Sequence, residues 1–345
     1  MRAILAGRGW AAGLGGLLWL CALAAVASPA RAEPVFFLHD GALIQHHAAE
    51  KSTEKLAPPA PGAVIGEFLG VVEGNRPVVK LMPADWDPHH HDGGHERDPA
   101  IGDIAVLGRD GQVDRFLAEG AVRAYPSPSG RKVALIDADY SVHVVESDSS
   151  RLLDIPERTV LVAWSPDERL LCLTVYPPDW TYDAASRAEG PDDFLRLINN
   201  DLYLYDLEAD AGERLTHYAG YDYAGIFSPD GSKILFISSR SGRGAFHTLD
   251  LETRKIQQIT NLAPGSYDIP VGRSQSIVWL PRDNSIAYEA QETPELSSIR
   301  TIGVDGKNPR NLGIGEQPRP ANGGAAVVFL DETAAPRLQV LEVQP

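Results

Sequence analysis

Phe227-Ser-Pro-Asp-Gly-Ser-Lys-Ile-Leu-Phe-Ile-Ser238 is the stretch that decides the fold. Proline presets φ, aspartate bonds nearby backbone N–H groups and glycine accepts positive φ, so residues 229–231 form a tight turn. The apolar, β-branched run behind the turn is a strand. The same pattern recurs as Tyr125-Pro-Ser-Pro-Ser-Gly-Arg-Lys-Val-Ala-Leu-Ile-Asp137, Trp164-Ser-Pro-Asp-Glu-Arg-Leu-Leu-Cys-Leu-Thr-Val175 and Trp279-Leu-Pro-Arg-Asp-Asn-Ser-Ile-Ala-Tyr-Glu289. A degraded copy spans Arg319-Pro-Ala-Asn-Gly-Gly-Ala-Ala-Val-Val-Phe329. The shared prolines, 128, 166, 229, 281 and 320, are 38, 63, 52 and 39 residues apart, which fits a unit of about 40 with insertions in two copies.

Two further strands follow in each unit. Phe246-His-Thr-Leu-Asp-Leu251, the polar turn at 252–254 and Lys255-Ile-Gln-Gln-Ile259 show them most plainly, as does Asp201-Leu-Tyr-Leu-Tyr-Asp206. Four strands per repeat make a propeller blade, so the expected class is all-β, a β-propeller. With Thr248-Leu-Asp-Leu-Glu252 and Ile259-Thr-Asn261, the stretch 227–242 resembles a blade of the TolB-like propellers, a periplasmic family with SPDG, WD40-like repeats. The wider group includes propellers of prolyl oligopeptidase-like enzymes and oligogalacturonide lyases. The resemblance covers about 120–320 and implies a propeller without the α/β domain that TolB carries before its own.

Six four-stranded blades are expected, with seven as the alternative. Blade one takes Ala63–Val72, Arg76–Met82, Asp103–Arg109 and Gln112–Leu117, and the last ends one strand short. Val35-Phe-Phe-Leu-His39 is expected to supply that strand and close the ring, which removes a sheet edge.

Residues 1–32 read as a signal peptide: Arg2 and Arg8, an apolar run from Ala11 to Ala27, and Ala30-Arg31-Ala32 as a cleavage site. Residues 33–345 are then one exported, periplasmic domain with no second stretch of spanning length. Removing the leader's three arginines leaves 28 basic against 47 acidic side chains, which argues against nucleic acid and anionic lipid as partners. Cys172, in an apolar strand, is expected to be an inert core residue.

Propeller geometry sends the proline turns to one face. The long segments 43–61, 83–102, 177–200 and 261–273 leave from the other, where binding is expected. His89, His90, His91 and His95, with His46 and His47 on the same face, are candidate ligands for zinc or copper. The alternative is a polar His-rich tract that holds nothing. Trp180, Tyr182, Asp183 and Trp86 are candidate partner contacts, or else they pack their segments on the scaffold. No Gly-x-Ser-x-Gly elbow, P-loop or dinucleotide loop occurs, so the expected function is a non-catalytic, monomeric interaction module for an envelope protein. A metal-holding protein or a metal-assisted polysaccharide lyase is the alternative.

Overall fold

A computed structural model describes residues 34–39, 42–47, 52–56, 59, 62–86, 101–147, 149–177, 199–241, 244–260, 277–280, 284–293, 296–321, 326–331 and 337–342. Twenty-five strands pair in antiparallel fashion with their sequence neighbours. The first sheet holds β1 (Val35–His39), β2 (Ala42–His47) and β3 (Ser52–Lys55). A seven-stranded sheet follows: β4 (Ala63–Val72), β5 (Arg76–Pro83), β6 (Gly102–Leu107), β7 (Val113–Pro126), β8 (Lys132–Asp137), β9 (Val142–Glu146) and β10 (Ser149–Leu152). Three four-stranded sheets come next. They are β11 (Arg158–Trp164), β12 (Leu170–Tyr176), β13 (Asp201–Asp206), β14 (Ala211–Arg214); β15 (Asp222–Phe227), β16 (Lys233–Ser238), β17 (Ala245–Asp250), β18 (Ile256–Gln258); and β19 (Ile277–Leu280), β20 (Ser285–Thr293), β21 (Leu296–Gly303), β22 (Arg310–Ile314). The last sheet holds β23 (Glu316–Ala321), β24 (Ala326–Asp331) and β25 (Arg337–Glu342).

The turn chemistry is as the repeat implies. The Ser228 and Lys233 backbones pair at 2.8 Å across the turn, and Gly231 sits at φ 72°. Asp230 accepts from the Ser228 hydroxyl at 2.6 Å and from the Ser232 amide at 3.0 Å. Those bonds, the Ser228 hydroxyl first, hold the Asp230 carboxyl down at about 2. The seven-stranded sheet is two repeat units sharing one strand. β7 pairs with β6 from Val113↔Leu107 to Ala121↔Gly102 and with β8 from Ala121↔Asp137 onward, so Ala121 belongs to both ladders. Gly120, at φ 62°, lies at the register shift just before that residue and donates its amide to Asp103 at 3.0 Å.

The N-terminus differs from expectation. β1 does not complete the last sheet; it pairs with β2 from Val35↔His46 to His39↔Ala42. The reason is local. Asp40-Gly41 is a two-residue hairpin sequence, and an alternating strand follows it, so β1 has a partner seven residues away. The segment 43–61, expected as a loop, therefore contains most of β2 and all of β3, and β1 adds a sheet rather than finishing one.

Apolar packing links each unit to the next. Phe36 and Leu43 meet Ile65 and Phe68. Val78 and Ile104 meet Ala124 and Leu135. Ile136 and Val142 meet Leu171 and Tyr205, while Cys172 and Leu202 meet Phe227 and Phe236. Phe246 packs with Trp279 and Tyr288, and Leu280 and Ala287 pack with Val327 and Phe329. Phe37 then joins the first sheet to Ala326, Val328 and Leu330 of the last. Cys172 is buried, as expected, and burial pushes its thiol up to about 12.

No strand ladder joins the first and last sheets among the described residues. A side chain takes its place. The Gln317 carboxamide donates to the Leu38 carbonyl at 2.9 Å and accepts from the Leu38 amide at 3.3 Å, copying a backbone peptide. Gln317→Ala leaves both groups without these bonds. It is expected to cost about 1–2 kcal/mol in chemical unfolding and to speed hydrogen exchange at Leu38.

Candidate functional site

The fourth strands β10, β14 and β18 are largely exposed, as is β3, so the first strand of each unit is the innermost. Five of these first strands line one cavity of about 290 Å³. β4 contributes Leu69, β7 residues 123–126, β11 residues 161–164, β15 residues 224–226 and β19 Ile277. All of these positions except Leu69 lie within about five residues of the turn prolines, and Pro128 itself forms part of the wall. The cavity therefore belongs to the face of the short turns.

Bulges aim the inner strands at the axis. β4, β7, β11, β15 and β23 each shift register against the second strand, and the shifts end at Glu67, Arg123, Leu161, Ile226 and Arg319. An extra residue on one strand bends it and redirects its side chains, which places these five toward the centre. Gly225 allows a close approach, because a Cβ there would stand 2.6 Å from Cys172 Sγ.

The inner end of the cavity is charged. Glu67 accepts from Arg123 at 2.7 Å and from Lys80 at 3.2 Å, and the Lys80 ammonium also donates to the Val122 carbonyl at 3.0 Å. Burial lowers the Lys80 pKa, with Glu67 opposing it. For Arg123, burial works in the same direction but is outweighed by Glu67 and Tyr125, so the guanidinium stays charged. Across the axis, burial lowers Arg319 to about 10 against the pull of Glu289, and its guanidinium lies 6.0 Å from the Phe68 ring centre. Trp164 Nε1 donates to the Tyr125 carbonyl at 2.8 Å, which fixes the indole in the wall.

The residues singled out from sequence lie elsewhere. Trp180, Tyr182, Asp183, His89, His90, His91 and His95 fall outside the described residues. Trp86 is half-buried. Its amide bonds the Pro83 carbonyl at 2.9 Å, and its ring lies close enough that a Cβ at Gly66 would be 3.4 Å away. Trp86 thus packs on β4. His46 and His47 are adjacent on β2 and so point to opposite sheet faces, which corrects their placement on a common loop. His46 is buried and bonds Thr53 Oγ1 through Nδ1 at 3.1 Å. Burial first, then His47, lowers its pKa. Among the described residues, no three His, Cys, Asp or Glu side chains converge on a metal position.

Sequence reading missed the axial cluster. Its signals were a lysine inside the apolar run 76–82 and an arginine five residues before a turn proline. Glu67→Gln leaves two buried cations without their anion, and a loss of about 3–5 kcal/mol is expected in chemical denaturation. Glu67→Gln with Lys80→Met is expected to recover most of that loss.

No protein-family model matches the chain. Part of it is 26% identical over 137 residues to the Tol-Pal system protein TolB of Helicobacter pylori, covering 39% of this chain and 32% of that one. The match thus spans about a third of the relative's length. The crystal structure of TolB from Acinetobacter baumannii has a TM-score of 0.52 at 14% identity, covering 90% of this chain and 76% of that one. Oligogalacturonate lyase from Vibrio parahaemolyticus has a TM-score of 0.50 at 12% identity, covering 91% and 97%. At these identities the solved structures establish the fold alone. The chain is thus similar to the TolB propellers in part of its sequence and in its fold.

Proposed function

We propose that the chain is an exported, periplasmic β-propeller that binds an envelope protein without acting on it chemically. The observation that carries this reading is the axial cavity of about 290 Å³, walled by five inner strands held in a rigid scaffold. A pocket on such a framework loses little freedom when it is filled, which favours binding. In this reading seven units surround the axis: the first sheet, the two halves of the seven-stranded sheet, and the four that follow. The order of the apolar clusters, which returns from the last sheet to Phe37 of the first, supports that count.

Two further parts of the reading rest on sequence. The opposite face, with Trp180, Tyr182 and Asp183, is a second contact surface for the partner, while Trp86 is committed to β4. The tract at His89, His90, His91 and His95 holds zinc or copper as an accessory, without His46 as a ligand, since that ring is buried in the sheet with its Nδ1 on Thr53. The lyase alternative draws on fold likeness to oligogalacturonate lyase, and fold does not fix chemistry.

Ile226 is half-buried and its side chain lines the cavity, so Ile226→Trp narrows it. Capture from native envelope on the immobilised full chain is expected to retain one partner, and Ile226→Trp to lower its yield at least about tenfold with the fold intact by circular dichroism. Formation of unsaturated products from oligogalacturonide by the purified chain would refute the non-catalytic reading.

A further inference from the structure

We propose that the outer edge of β25 takes up an extended segment of another protein as a fourth strand, and that this segment ends in leucine or isoleucine followed by threonine. The surface is separate from the axial cavity and does not depend on that reading. Among the described residues, the last sheet has three strands and nothing pairs with the outer edge of β25. The sheets β11–β14, β15–β18 and β19–β22 each have a fourth strand in that place.

Equivalent positions show what the edge offers. Phe329 pairs with Gln339 as Phe236 pairs with His247, and both phenylalanines pack toward the preceding unit. Leu338 therefore corresponds to Phe246, and Val340 to Thr248. Thr248 lies opposite Gln257 of β18 and is 7% exposed, whereas Val340 is 43% exposed. Phe246 turns its carbonyl outward, to the Ile259 amide at 2.8 Å. Outward-pointing residues alternate along a strand, so the N–H and C=O groups of Leu338 and Val340 face the open edge. Such a row is a template for an added strand.

The chain's own outer strands indicate what fits there. β3, β10, β14 and β18 are short and mostly polar, and each is followed by an apolar residue: Leu56, Leu153, Leu215 and Ile259. The amides of these four donate to the carbonyls of Leu43, Val142, Leu202 and Phe246 on the neighbouring strands, at 2.7–2.9 Å. Leu56, Leu153 and Ile259 are buried, so they anchor the end of an otherwise exposed strand. After Leu215 and Ile259 comes a threonine. The Thr216 hydroxyl accepts from the Leu202 amide at 2.9 Å, and the Thr260 hydroxyl from the Phe246 amide at 2.8 Å. The apolar–threonine pair thus satisfies both outward backbone groups of one residue. At β25 that residue is Leu338.

The same signature identifies the source. Leu-Thr and Ile-Thr occur in this chain only at 173–174, inside β12, and at 215–216 and 259–260, where they already close β14 and β18. A second copy has no spare segment of this kind, so a different protein supplies it.

The test uses a fluorescein-labelled peptide of residues 209–218, titrated with the full chain and followed by anisotropy. Saturable binding is expected. A methyl group on the amide nitrogen of the peptide's Leu215 removes the donor to Leu338 and should weaken binding at least about tenfold. Replacing the peptide's Thr216 by valine should weaken it several-fold. In the protein, Val340→Pro removes an outward N–H and no bond to β24, and should weaken binding at least about tenfold with circular dichroism unchanged. Ile226→Trp, which narrows the axial cavity, should leave it unchanged. If Val340→Pro does not fold, the methylated peptide decides on the native chain. No saturable binding, or equal affinity for the methylated peptide, overturns the proposal. A dimer in sedimentation that Val340→Pro dissociates would assign the edge to a second copy and overturn it too.

Discussion

Every sheet in this chain is apolar on both faces, and that constraint governs the rest. In β12, Leu171 and Leu173 enter one core while Cys172 between them enters the next. In β1, Phe36 packs toward Phe68 and Phe37 toward Val328. Period-2 alternation of this kind leaves no solvent face, so each sheet needs a neighbour on both sides. Among the described residues, the strands β3, β10, β14 and β18 at the outer edge are the ones left largely exposed to water. The first sheet can satisfy its second face only against the last, and Gln317 supplies the polar contact at that seam.

The axis is where this arrangement leaves a residue of unfilled space and buried charge. Inner strands that ran straight would present only backbone edges there; the bulges instead deliver Glu67, Arg123 and Arg319. Buried ion pairs contribute little to net stability but are costly to break, so they fix one arrangement of the inner strands against others. The same cost keeps the inner end of the cavity in one geometry before anything binds.

Much of this was legible in the sequence, because turns and alternation are local. The turn at Pro229 and the four strands of the first repeat unit fall where the residues indicated. The N-terminal hairpin was legible too, in Asp40-Gly41, but the search for a long-range partner for β1 passed over it. The axial cluster was only partly legible: residues 67 and 80 are cross-strand partners in the β4–β5 hairpin, but Arg123 reaches them from the next repeat unit, and no spacing along the chain encodes that. His46 and Trp86 show the converse. Their residue types suggested function, while their positions on β2 and beside β4 give them packing roles.

The shared strand β7 has a mechanical meaning. Elsewhere, successive units are joined by connecting residues that can lengthen or shift while the ladders on either side stay intact. At β7 one backbone carries both ladders, which meet at Ala121, so strain on the outer strand of one unit passes directly to the inner strand of the next. Arg123 lies three residues beyond Gly120. These two units therefore form a single cooperative block, and the Arg123 wall of the cavity is mechanically coupled to the rim of the unit before it.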